Sequence, residues 1–215
     1  MLERAASVAL AIDGDEVVAR VTNHSGHKLP TGHIEGRRAW LNLRFVDAAG
    51  QLLGEHGHYD PIEAHLDETT TTVYEMQVGL SPEAAAATGL PAGVTTHMAL
   101  ADTIEKDTRI PPRGFSNASF EAAGAPAVGA TYADGQYWHE ARFPLPAQTA
   151  QVHATLYYQT LTRHYIEALR DGNTTDDWGD TLHALWQQTG RGAPVRMTDA
   201  GLALVDAILA DGFEP

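Results

Sequence analysis

Residues 16–45 read EVVARVTNHSGHKLPTGHIEGRRAWLNLRF, and this stretch decides the fold because it joins two strand-like runs through a short connector. Residues 16–22 and 39–45 combine β-branched, aromatic and alternating apolar side chains, which is typical of half-buried strands. The connector carries three histidines and two arginines among glycines and a proline. Since rigid scaffolds commonly present binding groups on such connectors, we expect this one to bind a ligand or partner.

The period-two pattern extends in both directions from this stretch, up to about Gln159. Residues 7–12 and 16–22 flank Asp13-Gly14-Asp15, and residues 40–46 and 52–59 flank a second turn ending at Gly50, so two hairpins are predicted. Further strand candidates are residues 72–80, 97–101 with Ile104, 137–143 and 151–159. Seven to nine strands at about this spacing predict a mainly β fold, an antiparallel β-sandwich of the immunoglobulin-like type.

Helical spacing is concentrated near the end of the chain. Residues 161–169 and 175–188 place apolar side chains three and four apart, and Thr198 or Asp199 is suited to cap a last helix through Leu209. A shorter helix is predicted after Ser81, which is followed by a proline at the first helical position. We therefore expect a sandwich domain over residues 1–160 and a C-terminal helical layer over 161–215, packed as a single compact unit.

Composition excludes several classes of function. The 215 residues carry a formal net charge of −14, which disfavours nucleic acid and anionic membranes as partners. The chain has no cysteine, so it forms no disulfide, thiolate metal site or covalent haem attachment of its own. No apolar run approaches the roughly 18 residues of a membrane span. The first residues lack the basic and apolar regions of a secretion signal.

Four ordered motifs carry a family resemblance. Residues 23–38 hold Asn-x-x-Gly-His-Lys-Leu-Pro-Thr-Gly and then Glu-Gly-Arg-Arg, and residues 97–115 end in Lys-Asp-x-Arg-Ile-Pro-Pro-Arg-Gly-Phe. Residues 132–138 and 157–166 supply the other two motifs. Together they resemble the C-terminal β-rich domain of periplasmic multihaem c-type cytochromes, over about residues 5–197. The chain departs from that pattern in lacking the Cys-x-x-Cys-His segments that normally precede the domain.

The resemblance implies an electron-transfer role, with haem c held in trans or on a missing N-terminal segment. We expect a haem-free domain that docks on a haem-bearing segment or redox partner, and a periplasmic or extracellular location. His27 is the first candidate for an axial ligand and His97 the second, because neutral imidazole binds haem iron well. Arg37, Arg38 and Arg113 are candidates for binding haem propionates.

Other interpretations of these residues remain open. Arg37 or Arg38 could instead pair with Glu35 or another acid, at most one of the two facing His27 because strand neighbours point to opposite faces. Asp102 and Asp107 could bind calcium, or could hold Arg109 and Arg113 in a buried ion network.

The histidines also permit a different class of function. His56 and His58 would project from one strand face and, with His27 and His97, suit copper or zinc. The alternatives to a cytochrome-associated role are therefore a copper- or zinc-binding sandwich, including a metalloenzyme, and a purely structural interaction module. The common nucleophile, phosphate-loop, dinucleotide and zinc-protease motifs do not occur, so an enzyme is the less favoured reading.

Overall fold

The structure is a computed structural model, and it describes residues 2–204. The strands and helices are β1 Ala6–Asp13, β2 Glu16–Asn23, β3 Arg38–Val46, β4 Leu52–His56, β5 Tyr59–Asp60, β6 His65–Leu66, β7 Val73–Leu80, α1 Pro82–Thr88, β8 Gly93–Val94, β9 Thr103–Asp107, α2 Asn117–Ala122, β10 Trp138–Pro144, β11 Gln151–Gln159, α3 Arg163–Gly172, α4 Trp178–Gln188 and β12 Val195–Ala203. Three 3₁₀ turns lie at Leu2–Arg4, Glu68–Thr70 and Met98–Leu100.

The strands form antiparallel sheets, as the alternating pattern predicts. One sheet has the order β1-β2-β10, and the larger one runs β12-β11-β3-β7-β8, with β4 also paired to β3 and β9 to β7. The prediction of a mainly β, sandwich-like fold with helical elements is confirmed. Twelve strands lie within residues 2–204, and three of them, β5, β6 and β8, have only two residues each. The remaining nine lie within the predicted range of seven to nine, although they include β12, at a position where a helix is predicted.

The core lies where side chains of alternate strand residues meet. Leu41, Leu43 and Phe45 of β3 are fully buried, and so are the residues at the same spacing in β2 and β11. They belong to one apolar cluster that also includes residues of β1, β10 and β12. Because side chains in a strand point alternately to opposite faces, this spacing commits one face of each strand to the core. Both predicted hairpins form: β1 pairs with β2 without interruption around Gly14, and the pairing of β3 with β4 around Gly50 has a register shift between Phe45 and Val46.

The helical layer is shorter than predicted. Helices α3 and α4 pack on each other, and α1 begins after Ser81, whose hydroxyl accepts a hydrogen bond from the amide of Ala84 at 3.1 Å. The predicted helix from residue 198 is wrong over the described part. Residues 195–203 form β12, which pairs with β11 and buries Met197 in the main core. Residues 205–209 lie outside the described range, and the division into 1–160 and 161–215 stays a prediction.

The strand predicted at residues 97–101 is also wrong. The segment Met98–Leu100 forms a 3₁₀ turn, and the strand begins only at Thr103. All three residues of the turn are exposed, so no sheet face takes up their apolar side chains. Strand alternation without burial gives no net stabilisation, since strand preference reflects packing on a half-buried surface.

Candidate functional site

The connector between β2 and β3, residues 24–37, is the meeting point of the four motifs, and we call it the junction loop. Its entry is fixed by Asn23, which is 1% exposed. The Asn23 side-chain amide donates to the carbonyl oxygens of His27 at 2.7 Å, Ile110 at 2.9 Å and Pro111 at 3.0 Å. One buried amide therefore ties the first motif to the proline-containing segment of the second.

A short ladder and a buried ion pair extend this connection. Leu29 and Ile110 exchange backbone hydrogen bonds of 2.9 and 3.0 Å. The next residue back, Lys28, reaches inward and donates to a carboxylate oxygen of Asp107 at 2.7 Å. Burial lowers the pKa of Lys28, and the hydrogen bond to Asp107 raises it. The loop is thus clamped to the second motif on both sides of His27.

The third motif contacts the same region. The carbonyl oxygen of Tyr137 accepts a hydrogen bond from the backbone N–H of Asn23 at 2.9 Å. The buried hydroxyl of Tyr132 donates to the carbonyl oxygen of Thr108 at 3.0 Å, and the amide of Gly135 donates to Phe115 at 2.7 Å. Residues 132–138 are therefore hydrogen-bonded both to the start of the junction loop and to the second motif, residues 97–115.

The fourth motif closes the far end of the loop. The amide of Thr162 donates to the carbonyl oxygen of Gly36 at 3.0 Å. Gly36 has φ +67°, and a Cβ there would lie 2.7 Å from Cδ1 of Tyr165, so only glycine fits. The Tyr165 hydroxyl donates to Oε2 of Glu35 at 3.4 Å. Four motifs separated in sequence thus converge on one loop.

The side chain of His27 is exposed, although its backbone is held firmly. Its carbonyl oxygen accepts hydrogen bonds from Asn23 and from the Ser25 hydroxyl at 2.8 Å. The neighbouring His24 instead contacts the Ser7 hydroxyl at 2.8 Å. The His27 imidazole is therefore exposed on a loop whose backbone is fixed by hydrogen bonds.

His97 lies elsewhere. It is exposed at the start of the 3₁₀ turn before β9, and it lines an open cavity of about 330 Å³ beside α3 and α4. Trp178, 70% exposed, lines the same cavity. The two axial-ligand candidates therefore sit in different surroundings.

The three candidate arginines have different environments. Arg38 is buried, donates to Oε1 of Gln159 at 2.9 Å and to Oε1 of Glu68, and lies over the Trp40 ring. Burial lowers the pKa of Arg38, and Glu68 raises it. This is the internal ion pair that the sequence left open as an alternative.

Arg37 and Arg113 remain accessible. Arg37 is half-buried and donates to the carbonyl oxygen of Thr31 at 2.8 Å. Arg113 is exposed and lies over the Tyr137 ring at 4.9 Å. It follows by two residues Pro111, whose carbonyl oxygen accepts from the Asn23 side chain. A place for Arg113 in a buried ion network is wrong.

The acidic candidates are engaged in separate places. Asp107 is fully buried, and its carboxylate accepts from Lys28 and from both Nε and Nη2 of Arg109, at 2.8 and 2.7 Å. Asp102 accepts from the amide and hydroxyl of Ser81 at 2.7 and 2.6 Å, and these hydrogen bonds hold its pKa below the usual value. The ion-network reading fits Asp107, with Lys28 as a member that the sequence did not suggest.

The expectation that His56 and His58 share a strand face is wrong. β4 ends at His56, and Gly57 at φ +67° redirects the chain. The His56 ring packs against Phe143, while His58 is exposed and contacts Oε2 of Glu55 at 3.2 Å. Within residues 2–204, no group of three or more His, Asp or Glu side chains is arranged to hold a metal ion.

Comparisons with known proteins place the fold. No family model matches the chain, and no curated protein matches it. Among solved structures, the chain is similar to a penta-heme cytochrome c552 from Thermochromatium tepidum, with 19% sequence identity and a TM-score of 0.51. The similarity covers 94% of this chain and 40% of that one. The fold is thus shared with part of a multihaem cytochrome. None of the helices described is long and apolar enough to cross a membrane.

Proposed function

We propose that this chain is the haem-free domain of a multihaem cytochrome electron-transfer system, that it docks on a haem-bearing segment or partner, and that His27 supplies an axial ligand there. The observation that carries the proposal is the exposed His27 side chain on a loop whose backbone is anchored by the other three motifs. The fold likeness to a penta-heme cytochrome, of which the chain spans 40% of the length, supports the cytochrome context.

The residues present fit a haem carried outside this chain. There is no cysteine, so covalent attachment through thioethers requires another segment or protein. His27 is the residue that would bind the iron, and Arg113 and Arg37 are the accessible cations that would bind propionates. When bound, the haem supplies electron transfer, while this chain supplies the ligand and the docking surface. We place this function outside the cytoplasm, as the resemblance implies.

A haem c peptide that keeps its own single histidine and an open sixth position is the probe for this ligation. Titrating the chain into it should convert the iron to a low-spin spectrum, because imidazole is a strong axial ligand. His27→Ala should abolish most of this change. His24→Ala is the matched control, since it removes an exposed imidazole from the same loop and should leave the titration intact.

The same titration separates the alternatives. Equal losses for His27→Ala and His24→Ala would mean that any surface imidazole binds the probe, and the proposed role of His27 would then be wrong. No spectral change with the wild-type chain favours the purely structural module. No contact among the described residues specifically favours the copper or zinc alternative, so it is not developed.

A further inference from the structure

A cavity of about 270 Å³ lies beside the junction loop. This volume is just below the usual range of about 300–1,000 Å³ for ligand pockets, so the cavity suits a small molecule. The loop supplies one side, and the start of the chain, β11 and β12 supply the others. Most of the lining side chains are apolar or aromatic, namely those of Leu2, Ala5, Leu29, Pro30, Tyr158 and Met197.

The apolar walls of this cavity belong to the main core. Leu29 and Met197 are buried members of the core cluster, and Leu2, Ala5 and Tyr158 pack against it. Because packing fixes the positions of these side chains, the cavity is formed before any ligand enters. A preformed apolar cavity lowers the cost of ordering the site when a ligand binds.

Arg37 is the charged residue in the lining. Its Nη1 donates to the carbonyl oxygen of Thr31, which lines the same cavity, so the guanidinium group lies at this side of the loop. Within residues 2–204 this is the one hydrogen bond of the Arg37 side chain, and no carboxylate of that range pairs with it. Glu35, the nearest acid in the sequence, contacts His33 instead. The half-buried guanidinium group therefore keeps N–H donors for an acceptor outside the chain.

We propose that this cavity binds a small monocarboxylate, whose alkyl chain packs against Leu29 and Met197 and whose carboxylate accepts hydrogen bonds from Arg37. A planar guanidinium group can donate two N–H groups to one carboxylate, and such charge-assisted hydrogen bonds are the stronger class. No acidic side chain is among the described residues that line the cavity, although the chain has 28 acidic and 14 basic side chains. The cavity therefore offers one cation and an apolar wall to a ligand with a negative end and an apolar body.

A haem propionate is a second source of the same carboxylate chemistry, because Arg37 is also one of the cations that we propose for propionate binding. The two sources differ in what accompanies the carboxylate. A propionate has two methylene groups between the carboxylate and the haem, whereas a free ligand that fills the cavity needs a longer alkyl chain. A neutral apolar molecule would use the cavity but not Arg37. Chain length and charge therefore distinguish these occupants.

The first test titrates the unmodified chain with hexanoate, propanoate and 1-hexanol in a calorimeter. Hexanoate should bind at least about tenfold more tightly than propanoate, because it buries three more methylene groups, and about tenfold more tightly than 1-hexanol, because it pairs with a cation. The net charge of −14 repels anions, so a preference for hexanoate over the neutral alcohol is not a general attraction to the protein. In amide NMR spectra the shifts should centre on Ser25, Thr31 and Met197. Equal binding of hexanoate and either other probe, or no binding at millimolar concentration, would overturn the proposal.

The second test uses matched variants. Arg37→Met should weaken hexanoate binding by about tenfold or more and leave 1-hexanol binding unchanged. Arg44→Met removes an equal charge at an exposed position of β3 and should leave hexanoate binding unchanged. Equal weakening by the two variants would mean that only the overall charge matters and would refute the site. The probe series on the unmodified chain decides the question if Arg37→Met does not fold. None of these titrations contains haem, so their outcome is separate from that of the test of His27.

Discussion

Replacing Lys28 with methionine should lower the free energy of unfolding by about 3 kcal/mol, because the ammonium group is fully engaged inside the protein. Lys28 is 5% exposed. Its Nζ donates to Asp107 at 2.7 Å and to the carbonyl oxygens of Ala125 and Pro126 at 2.9 and 3.1 Å. The three N–H groups of Lys28 thus meet three acceptors. Methionine removes these three donors and keeps an unbranched apolar side chain.

The expected loss of about 3 kcal/mol depends on how well Asp107 is still paired after Lys28 is replaced. Breaking a buried ion pair costs about 3–5 kcal/mol when the remaining charge has no other partner. Here Asp107 keeps two hydrogen bonds from Arg109, which places the cost at the lower end. Burial also lowers the pKa of Lys28, so the charged lysine carries a desolvation penalty that the methionine variant does not. In the variant the carbonyl oxygens of Ala125 and Pro126 lose their donor, which increases the loss of stability.

Denaturant unfolding with two control variants is the assay. Arg196→Met also removes one positive charge. Arg196 pairs with Asp199 at the surface, where the two side chains are 64% and 54% exposed, so this variant should lower the free energy of unfolding by less than about 1 kcal/mol. His27→Ala changes the adjacent residue, whose side chain is exposed, and should stay within about 0.5 kcal/mol. The Lys28 variant should also melt about 6–12 °C lower, at about 2–4 °C per kcal/mol for a chain of this size.

Two results would refute this reasoning. If Lys28→Met costs no more than Arg196→Met, the buried contacts do not stabilise the fold. If it is destabilising but the amides of Leu29 and Ile110 keep their full hydrogen-exchange protection relative to the rest of the chain, then Lys28 does not clamp the junction loop to the second motif. The expected pattern is a selective loss of hydrogen-exchange protection at these two amides. Each of them donates to the backbone carbonyl oxygen of the other residue.

Further predictions concern backbone fit and pH. Gly36→Ala should cost about 1–3 kcal/mol more than Gly50→Ala in denaturant unfolding, because both glycines have positive φ but only at Gly36 would a Cβ meet a neighbouring ring; equal costs would contradict it. Burial raises the pKa of Glu35, so its protonated form favours the folded state. The free energy of unfolding of the wild type, relative to that of Glu35→Gln, should therefore fall as the pH rises from 4.5 through the raised pKa. A difference that does not change with pH would contradict this. Burial lowers the pKa of His139 below 6.5, so stability present above pH 6.5 should be lost as the pH falls through the lowered value, and His139→Phe should flatten that loss in pH-dependent melting curves.

The strands were predictable because their signal is local and repeated. Residues 16–22 alternate, and Val17, Ala19 and Val21 are fully buried in β2. Burial of one strand face needs no knowledge of the partner strand, only that some core covers that face. The hairpin turns at Asp13-Gly14-Asp15 and at Gly50 add local backbone preferences, and both glycines have positive φ. The mainly β class follows from such segments alone.

The sequence predicts a helix where the last strand forms, because a local capping preference competes there with a long-range strand pairing. Thr198 and Asp199 are good helix-capping residues. In the structure they pair with Leu156 and Thr155 of β11, about forty residues earlier, and the same pairing brings Met197 into the core. Tertiary pairing and burial outweigh a capping preference of about 1 kcal/mol.

The candidate site was predictable in its residues but not in its assembly. The sequence indicates the loop around His27 and the segment around Pro111, yet the hydrogen bond that joins Asn23 to Pro111 spans 88 positions. Lys28 and Asp107 are 79 positions apart, and each stands inside a recognised motif without a local sign of its partner. Glu35 gives no sequence signal of burial, since Tyr165, whose hydroxyl donates to Oε2 of Glu35, lies 130 positions later.

The junction loop separates two kinds of residue that sequence motifs mix together. Asn23, Lys28 and Gly36 are held by contacts inside the chain, so their identity is accounted for by stability. His27 differs, because its only described hydrogen bonds are made by its backbone carbonyl, which any residue provides. A fold that needs only a backbone oxygen at this position gives no structural reason for an imidazole. The exposed imidazole is therefore available for the role that we propose for it, as an axial ligand to the iron of a docked haem.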